Sequence, residues 1–166
     1  MSIARIRSKA VALAGVRKIS DSPVFVDNQD SVFEIGSITK VFTASLLADP
    51  IRHHGMGLDG PISGDLPFPL REPGKNGKPV TYRTLADHTS GLSRDPDNNT
   101  FEMSPYNPCM GYCRDSLKRY LRNLMSLDST PGQRHLYSNL GFGLLGHLLE
   151  VKPGKSCERL LQKKFS

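Results

Sequence analysis

The sequence predicts an α+β chain, with a few short strands at the beginning and helices through most of the remainder. Two features of the 166 residues point there: strand-like apolar runs confined to the first 35 positions, and helix-spaced apolar residues recurring in five later segments. No internal repeat and no low-complexity tract competes with that division.

Ile3 to Ile6 and Ala10 to Val16 read as two short strands, with Arg7–Ser8–Lys9 as the turn between them. Pro23 to Asp30 is polar and turn-rich. Val32–Phe33–Glu34–Ile35 is strand-like again, and Gly36 turns the chain. From Ser37 the spacing becomes helical, with Ile38, Val41, Phe42, Ser45 and Leu46 on one face. Pro50 lacks an N–H and crowds the turn before it, which predicts a stop or kink near Asp49. Residues 55–80 are rich in proline and glycine and read as a long surface connection. Thr81 to His88 is helical, with Leu85 inward and Gly91 as its C-cap. Arg94 to Pro108 reads as polar loop. Asp115 to Met125 is an amphipathic helix through Leu117, Leu121 and Leu124, and Asp115 suits the positive end of its dipole. After a Pro131–Gly132 turn, Leu140 to Val151 is an apolar helix ended near Pro153–Gly154. Cys157 to Phe165 opens a further helix.

Composition narrows the function classes. Apolar residues at 37% and charged residues at 23% suit a soluble globular chain, and no apolar run approaches the roughly 18 residues of a membrane span. The patch Ala10 to Gly15 is too short for a signal-peptide core, and Arg17–Lys18 follow it at once. The expectation is a chain that stays inside the cell or has been trimmed. The formal charge of +6 sits at the two ends: residues 1–20 hold five basic and no acidic side chains, residues 152–166 hold five basic and one acidic, and twelve basic face fifteen acidic between them. Without interleaved aromatics or a nucleic-acid motif, this reads as solvated terminal charge, and no nucleic-acid partner is expected. Cys109, Cys113 and Cys157 make an odd set with no zinc-type spacing. Cys109 and Cys113 would be a pair in an oxidising compartment or free thiols in a reducing one.

Chemistry enters at Ser37 and Lys40. Their three-residue spacing puts both side chains on one face of a first helical turn. A serine hydroxyl needs a group to accept its proton before it attacks well. A lysine accepts that proton only where burial or neighbours disfavour its charged form, and Ile38, Val41 and Phe42 are the expected apolar cover. The helix N-terminus would aim backbone N–H groups at the negative charge developing on an attacked carbonyl. Taken alone the pair is a weak signal, because a serine N-cap followed by a lysine is common.

The company it keeps is more specific. FEIGSITKVFTA, then LADHTSGL at residues 85–92, then PGQRHLYSNLGFGLLG with Tyr137–Ser138–Asn139, resemble in order and spacing the serine β-lactamase and penicillin-binding protein superfamily. The Tyr-x-Asn form resembles the class C β-lactamase branch, which also holds D-alanyl-D-alanine peptidases and esterases; class A enzymes carry Ser-Asp-Asn there. The similarity runs from about residue 3 to the end.

The resemblance implies an antiparallel sheet flanked by helices beside a mainly helical region, of which this chain would hold a part. Residues 1–35 would supply the first strands, 36–151 the helical region with both motifs, and 152–166 the start of a further helix. It implies Ser37 as the acylated nucleophile, Lys40 sharing the base duty, Tyr137 as phenolate or proton relay, and Asn139 binding the substrate's amide carbonyl and holding Lys40. The rival for the last two is a packed tyrosine followed by an asparagine N-cap. His88 and Gly91 would be structural, a helix end and a tight turn. Unperturbed tyrosine titrates at about 10 and lysine at about 10.4, so the pair would work as a coupled unit. No metal or organic cofactor is required.

The partner implied is a small-molecule β-lactam, peptide or ester, in a family commonly periplasmic or secreted. The family's third motif, Lys-Thr-Gly or a His-x-Gly variant, is not found in the sequence, and the family would continue for about as long again. The functional expectation is thus a β-lactamase-type serine hydrolase. Its rivals are a D-alanyl-D-alanine peptidase or carboxylesterase, and a weak or inactive fragment or binding module. The first strands, short of partner strands, would leave an exposed edge open to self-association.

Overall fold

The computed structural model describes residues 16–19, 22–25, 34–99, 111–151 and 153–165. It divides into two compact units, Met1–Gly36 and Ser37–Ser166. In the first, β1 (Val16–Ile19) pairs antiparallel with β2 (Ser22–Phe25), Val16 opposite Phe25 and Ile19 opposite Ser22. The expected strand Ile3 to Ile6, the Arg7–Ser8–Lys9 turn and most of Ala10 to Val16 lie outside the described residues. Pro23 to Phe25, expected to be turn-rich, is instead strand. Pro23 faces Lys18 in a two-stranded ribbon, where a missing N–H can point to a free edge. Glu34 and Ile35, expected in a strand, belong to none.

The second unit is built around α4 (Asn139–Val151). Leu140, Phe142, Leu144, Leu145, Leu148 and Leu149 are all buried, so this helix is covered on most of its circumference. Packed against it are α1 (Thr39–His54), α2 (Tyr82–Ala86) and α5 (Cys157–Phe165). A buried-face helix, α3 (Arg114–Asn123), adds Leu117, Tyr120 and Leu121, and Arg114 bridges to Glu150 of α4 at 2.6 Å. Leu124, expected on that buried face, is 43% exposed; the helix has ended, and Met125 and Leu127 turn inward instead.

Two further expectations are corrected. Of the stop or kink expected near Asp49, the stop does not occur, since α1 runs through Pro50 to His54. Leu46 and Leu47 anchor the turn before Pro50, and Ile51 packs on the core after it. The helix closes at Gly55, whose left-handed φ of 63° lets its N–H reach the Pro50 carbonyl. Residues 55–80 are not a surface connection either. Ile62, Leu66, Leu70 and Val80 are core residues, and Arg71 N–H and Glu72 bond the backbone of Leu121 and Leu127 at 2.9 Å each. Within this stretch β3 (Gly74–Lys75) and β4 (Lys78–Pro79) form a hairpin about Asn76–Gly77, both at positive φ, the twist a two-residue turn needs. Among the described residues no helix is long and apolar enough to cross a membrane.

Candidate active site

Ser37 lies in the short turn Gly36–Ile38 that leads into α1, and Lys40 is in the first turn of that helix. The Ser37 hydroxyl does not stand at the N-cap of α1, which is Ile38. It meets the Tyr137 hydroxyl at 2.6 Å and accepts from Lys40 Nζ at 3.3 Å. Lys40 also donates to Asn139 Oδ1 at 2.8 Å. All four side chains singled out from sequence therefore meet at one point, bringing together positions one hundred residues apart.

What positions Tyr137 and Asn139 is the loop after α2. Leu136 N–H donates to the His88 carbonyl at 2.7 Å and Ser138 N–H to His88 Nδ1 at 3.1 Å. Ser138 Oγ, buried, donates to the Ser93 carbonyl at 2.7 Å and accepts from Gly141 N–H at 2.8 Å, so it caps α4. Asn139 and Leu140 N–H both reach the Arg94 carbonyl, at 2.8 and 3.1 Å. Because Ser138 does the capping, the Asn139 carboxamide is left for Lys40; the rival reading of Asn139 as the N-cap fails, the cap being one residue earlier.

The loop itself departs from expectation. The left-handed residue that follows α2 is His88, at φ 62°, while Gly91 stands further on with φ 81° and its carbonyl accepts from Asp128 N–H at 2.7 Å. A Cβ at Gly91 would collide with the Ser129 carbonyl oxygen. Thr89 N–H and Oγ1 both donate to Asp87 Oδ1, closing the turn.

Electrostatically the site is a cation among aromatic rings. Ile38 and Val41, expected to shield Lys40, are 60% and 66% exposed. The cover comes from Tyr137 and Phe142, whose ring centroids lie 4.8 and 5.8 Å from Lys40 Nζ. Arg94 sits 5.2 Å from the Tyr137 ring centroid. Hydrogen bonding from Lys40 and then from Ser37 holds the Tyr137 phenol below its ordinary value, against a smaller opposing effect of burial. Asn139 Nδ2 donates to Asp95 Oδ1 at 3.0 Å, which fixes the amide with oxygen toward the lysine and nitrogen toward the carboxylate. Arg94, Asp95 and Phe142 are site residues that sequence reasoning misses. The first two lie in a stretch whose only signal is polarity, and Phe142 reads as core, which it also is.

A cavity of about 420 Å³ opens beside Asn139 and Asp95 and runs to His147, Glu150 and Cys157; neither Ser37 nor Tyr137 lines it. Cys113 and Cys157 are free thiols, and Cys109 is outside the described residues. Among the described residues no cluster of three or more His, Cys, Asp or Glu side chains is placed to hold a metal.

A family model described as Beta-lactamase matches residues 10–166. The D-alanyl-D-alanine-carboxypeptidase/endopeptidase AmpH of Escherichia coli strain K12 is 32% identical over 138 residues, covering 82% of this chain and 34% of that protein. Among solved structures, the octameric penicillin-binding protein homologue from Pyrococcus abyssi aligns with a TM-score of 0.65 at 30% identity, over 80% of this chain and 30% of the other. A β-lactamase/D-alanine carboxypeptidase from Yersinia pestis, solved with citrate, aligns at 0.67 and 27% identity, over 78% and 36%. The chain thus spans about a third of the length of these relatives. A family match over nearly its whole length, on a partial α+β fold shared with those structures, means that the chain belongs to the β-lactamase family, within the serine β-lactamase and penicillin-binding protein superfamily.

Proposed function

We propose that this chain carries the nucleophile-bearing part of a serine acyl-transfer site acting on β-lactams or related amides and esters. The observation that carries the reading is the Ser37 hydroxyl held 2.6 Å from the Tyr137 phenol and 3.3 Å from Lys40 Nζ. Ser37 Oγ attacks the substrate carbonyl carbon, and its proton passes to the Tyr137–Lys40 pair. The same pair returns that proton to the departing nitrogen as the C–N bond breaks, leaving an ester on Ser37. Water then attacks the ester, a carboxylate leaves, and Ser37 regains its proton. A phenol held below its usual range by an adjacent ammonium is suited to accept in the first step and donate in the second. Asn139 spends one amide hydrogen on Asp95 and keeps the other for the substrate's carbonyl.

Labelling with a fluorescent penicillin, followed by mass mapping, tests this. Ser37 should carry the adduct, and Ser37→Ala should abolish it; an unmodified Ser37 at high probe concentration overturns the reading. A second reading, a weak or non-catalytic binding module, draws on the cavity of about 420 Å³ that Ser37 does not line. It wins if Ser37→Ala leaves every activity unchanged. On substrate, similarity to the E. coli D-alanyl-D-alanine-carboxypeptidase/endopeptidase and the Y. pestis β-lactamase/D-alanine carboxypeptidase favours a D-alanyl peptide beside a β-lactam. Parallel assays with nitrocefin, a D-alanyl dipeptide and a p-nitrophenyl ester rank the three. The octameric P. abyssi homologue favours self-association, which light scattering over a concentration series reads directly.

A further inference from the structure

His88 touches the candidate site in three ways that its place in a loop does not require. Its carbonyl accepts Leu136 N–H and its Nδ1 accepts Ser138 N–H, so it holds the backbone on both sides of Tyr137. Its ring lies against the Tyr137 ring, centroids 4.5 Å apart at 33°, and against Phe142 at 4.8 Å. To accept a backbone N–H, Nδ1 must carry a lone pair, so the imidazole is neutral with its proton on Nε2. Protonation would turn that acceptor into a donor facing another donor, and would set a second cation among the rings that cover Lys40.

The charged and titratable groups facing His88 are Lys40 from α1, His135 and Tyr137 from the stretch before α4, and Asp87 from its own turn. Burial first, then His135 and Lys40, hold the imidazole below its ordinary value, and Asp87 pulls the other way.

We infer that His88 is a positioning residue whose neutral imidazole, through the Ser138 N–H bond and the Tyr137 ring contact, keeps Tyr137 and Asn139 on Ser37 and Lys40, and that its protonation releases that hold. The structural half stands on geometry alone; its consequence for acylation rests on the Ser37 reading above.

The test has two arms. In the first, nitrogen-15 NMR of the wild-type protein reads the His88 tautomer and follows the Ser138 amide as pH falls. An unprotonated Nδ1 at neutral pH, with a Ser138 shift that tracks the His88 titration, supports the inference. A protonated Nδ1, or a Ser138 amide indifferent to that titration, overturns it.

In the second arm, fluorescent-penicillin labelling rates are compared across pH for wild type, His88→Asn and His88→Ala. Asparagine tolerates the left-handed backbone and offers Oδ1 as an acceptor that does not titrate. At neutral pH His88→Asn, which keeps an acceptor for Ser138 N–H but lacks the ring against Tyr137, should label at a rate between those of wild type and His88→Ala, and it should lose part of the acid fall. His88→Ala should label more slowly at every pH, by up to about 10²-fold from misplacement. An acid limb in His88→Asn identical to wild type overturns the inference while leaving Ser37 intact. A wild-type protein that never labels overturns the Ser37 reading, and the NMR arm still decides His88.

Discussion

Gly91 shows how far one missing side chain reaches. Its φ of 81° is costly for any other residue, and a Cβ there would strike the Ser129 carbonyl while its own carbonyl holds Asp128 N–H. Gly91→Ala should lower unfolding free energy by about 2–4 kcal/mol, combining backbone strain with displacement of the Ser129 segment. An unchanged denaturation midpoint would sink that account. At this scale the sequence is informative where residue type limits chemistry. Ser37, Lys40, Tyr137 and Asn139 stand out because their groups and spacing are uncommon in combination, and they do meet in space. Arg94 and Asp95 are not legible, since the same side chains on any polar loop look alike. Gly91 stands out too, but its place differs from the expected C-cap; the left-handed residue after α2 is His88.

Among the described α-helices α2 is the shortest, five residues, and its start is fixed by a capping box. Thr81 and Thr84 exchange side-chain and backbone bonds, at 2.9 Å from Thr81 N–H and 3.2 Å from Thr84 N–H, and both are buried. Thr81→Ala should destabilise the chain by about 1–2 kcal/mol, with Thr81→Ser restoring most of it; equal midpoints for the two variants in urea would refute the capping role. Helices with an unbroken apolar pattern are legible in the sequence, α5 with its observed bounds and α4 to within one residue. Pro50 misleads because the rule concerns local geometry, whereas Leu46, Leu47 and Ile51 pack on both sides of it. Residues 55–80 mislead for the opposite reason. Glycine and proline suggest surface, yet the Asn76–Gly77 pair is a hairpin signal in plain view, and four isolated apolar residues carry the burial.

For the molecule as a whole, pH is the accessible variable. His147, lining the cavity beside α3 and α4, is held below its ordinary 6.5 by burial and then by Arg114, with Glu150 opposing. The unfolded chain therefore binds a proton at higher pH than the folded one does. Its contribution is fully present above about 6.5 and is lost as pH falls from there toward the folded value. His88 acts in the same sense. The melting temperature should fall on acidification through this window, and His147→Asn should make the slope shallower; a slope equal to wild type would show that His147 is not a source. The assembly of the unit also has an order written into it. Lys164 of α5 donates to Asp49 at 2.6 Å and to the Ser45 carbonyl of α1, and Phe165 stacks edge-on to Phe42. On a ribosome, α1, which bears Lys40 and follows Ser37 directly, would wait for these braces until 115 residues beyond Asp49 had been synthesised. Ser37, the proposed nucleophile, is made early, and these braces on α1 are made late.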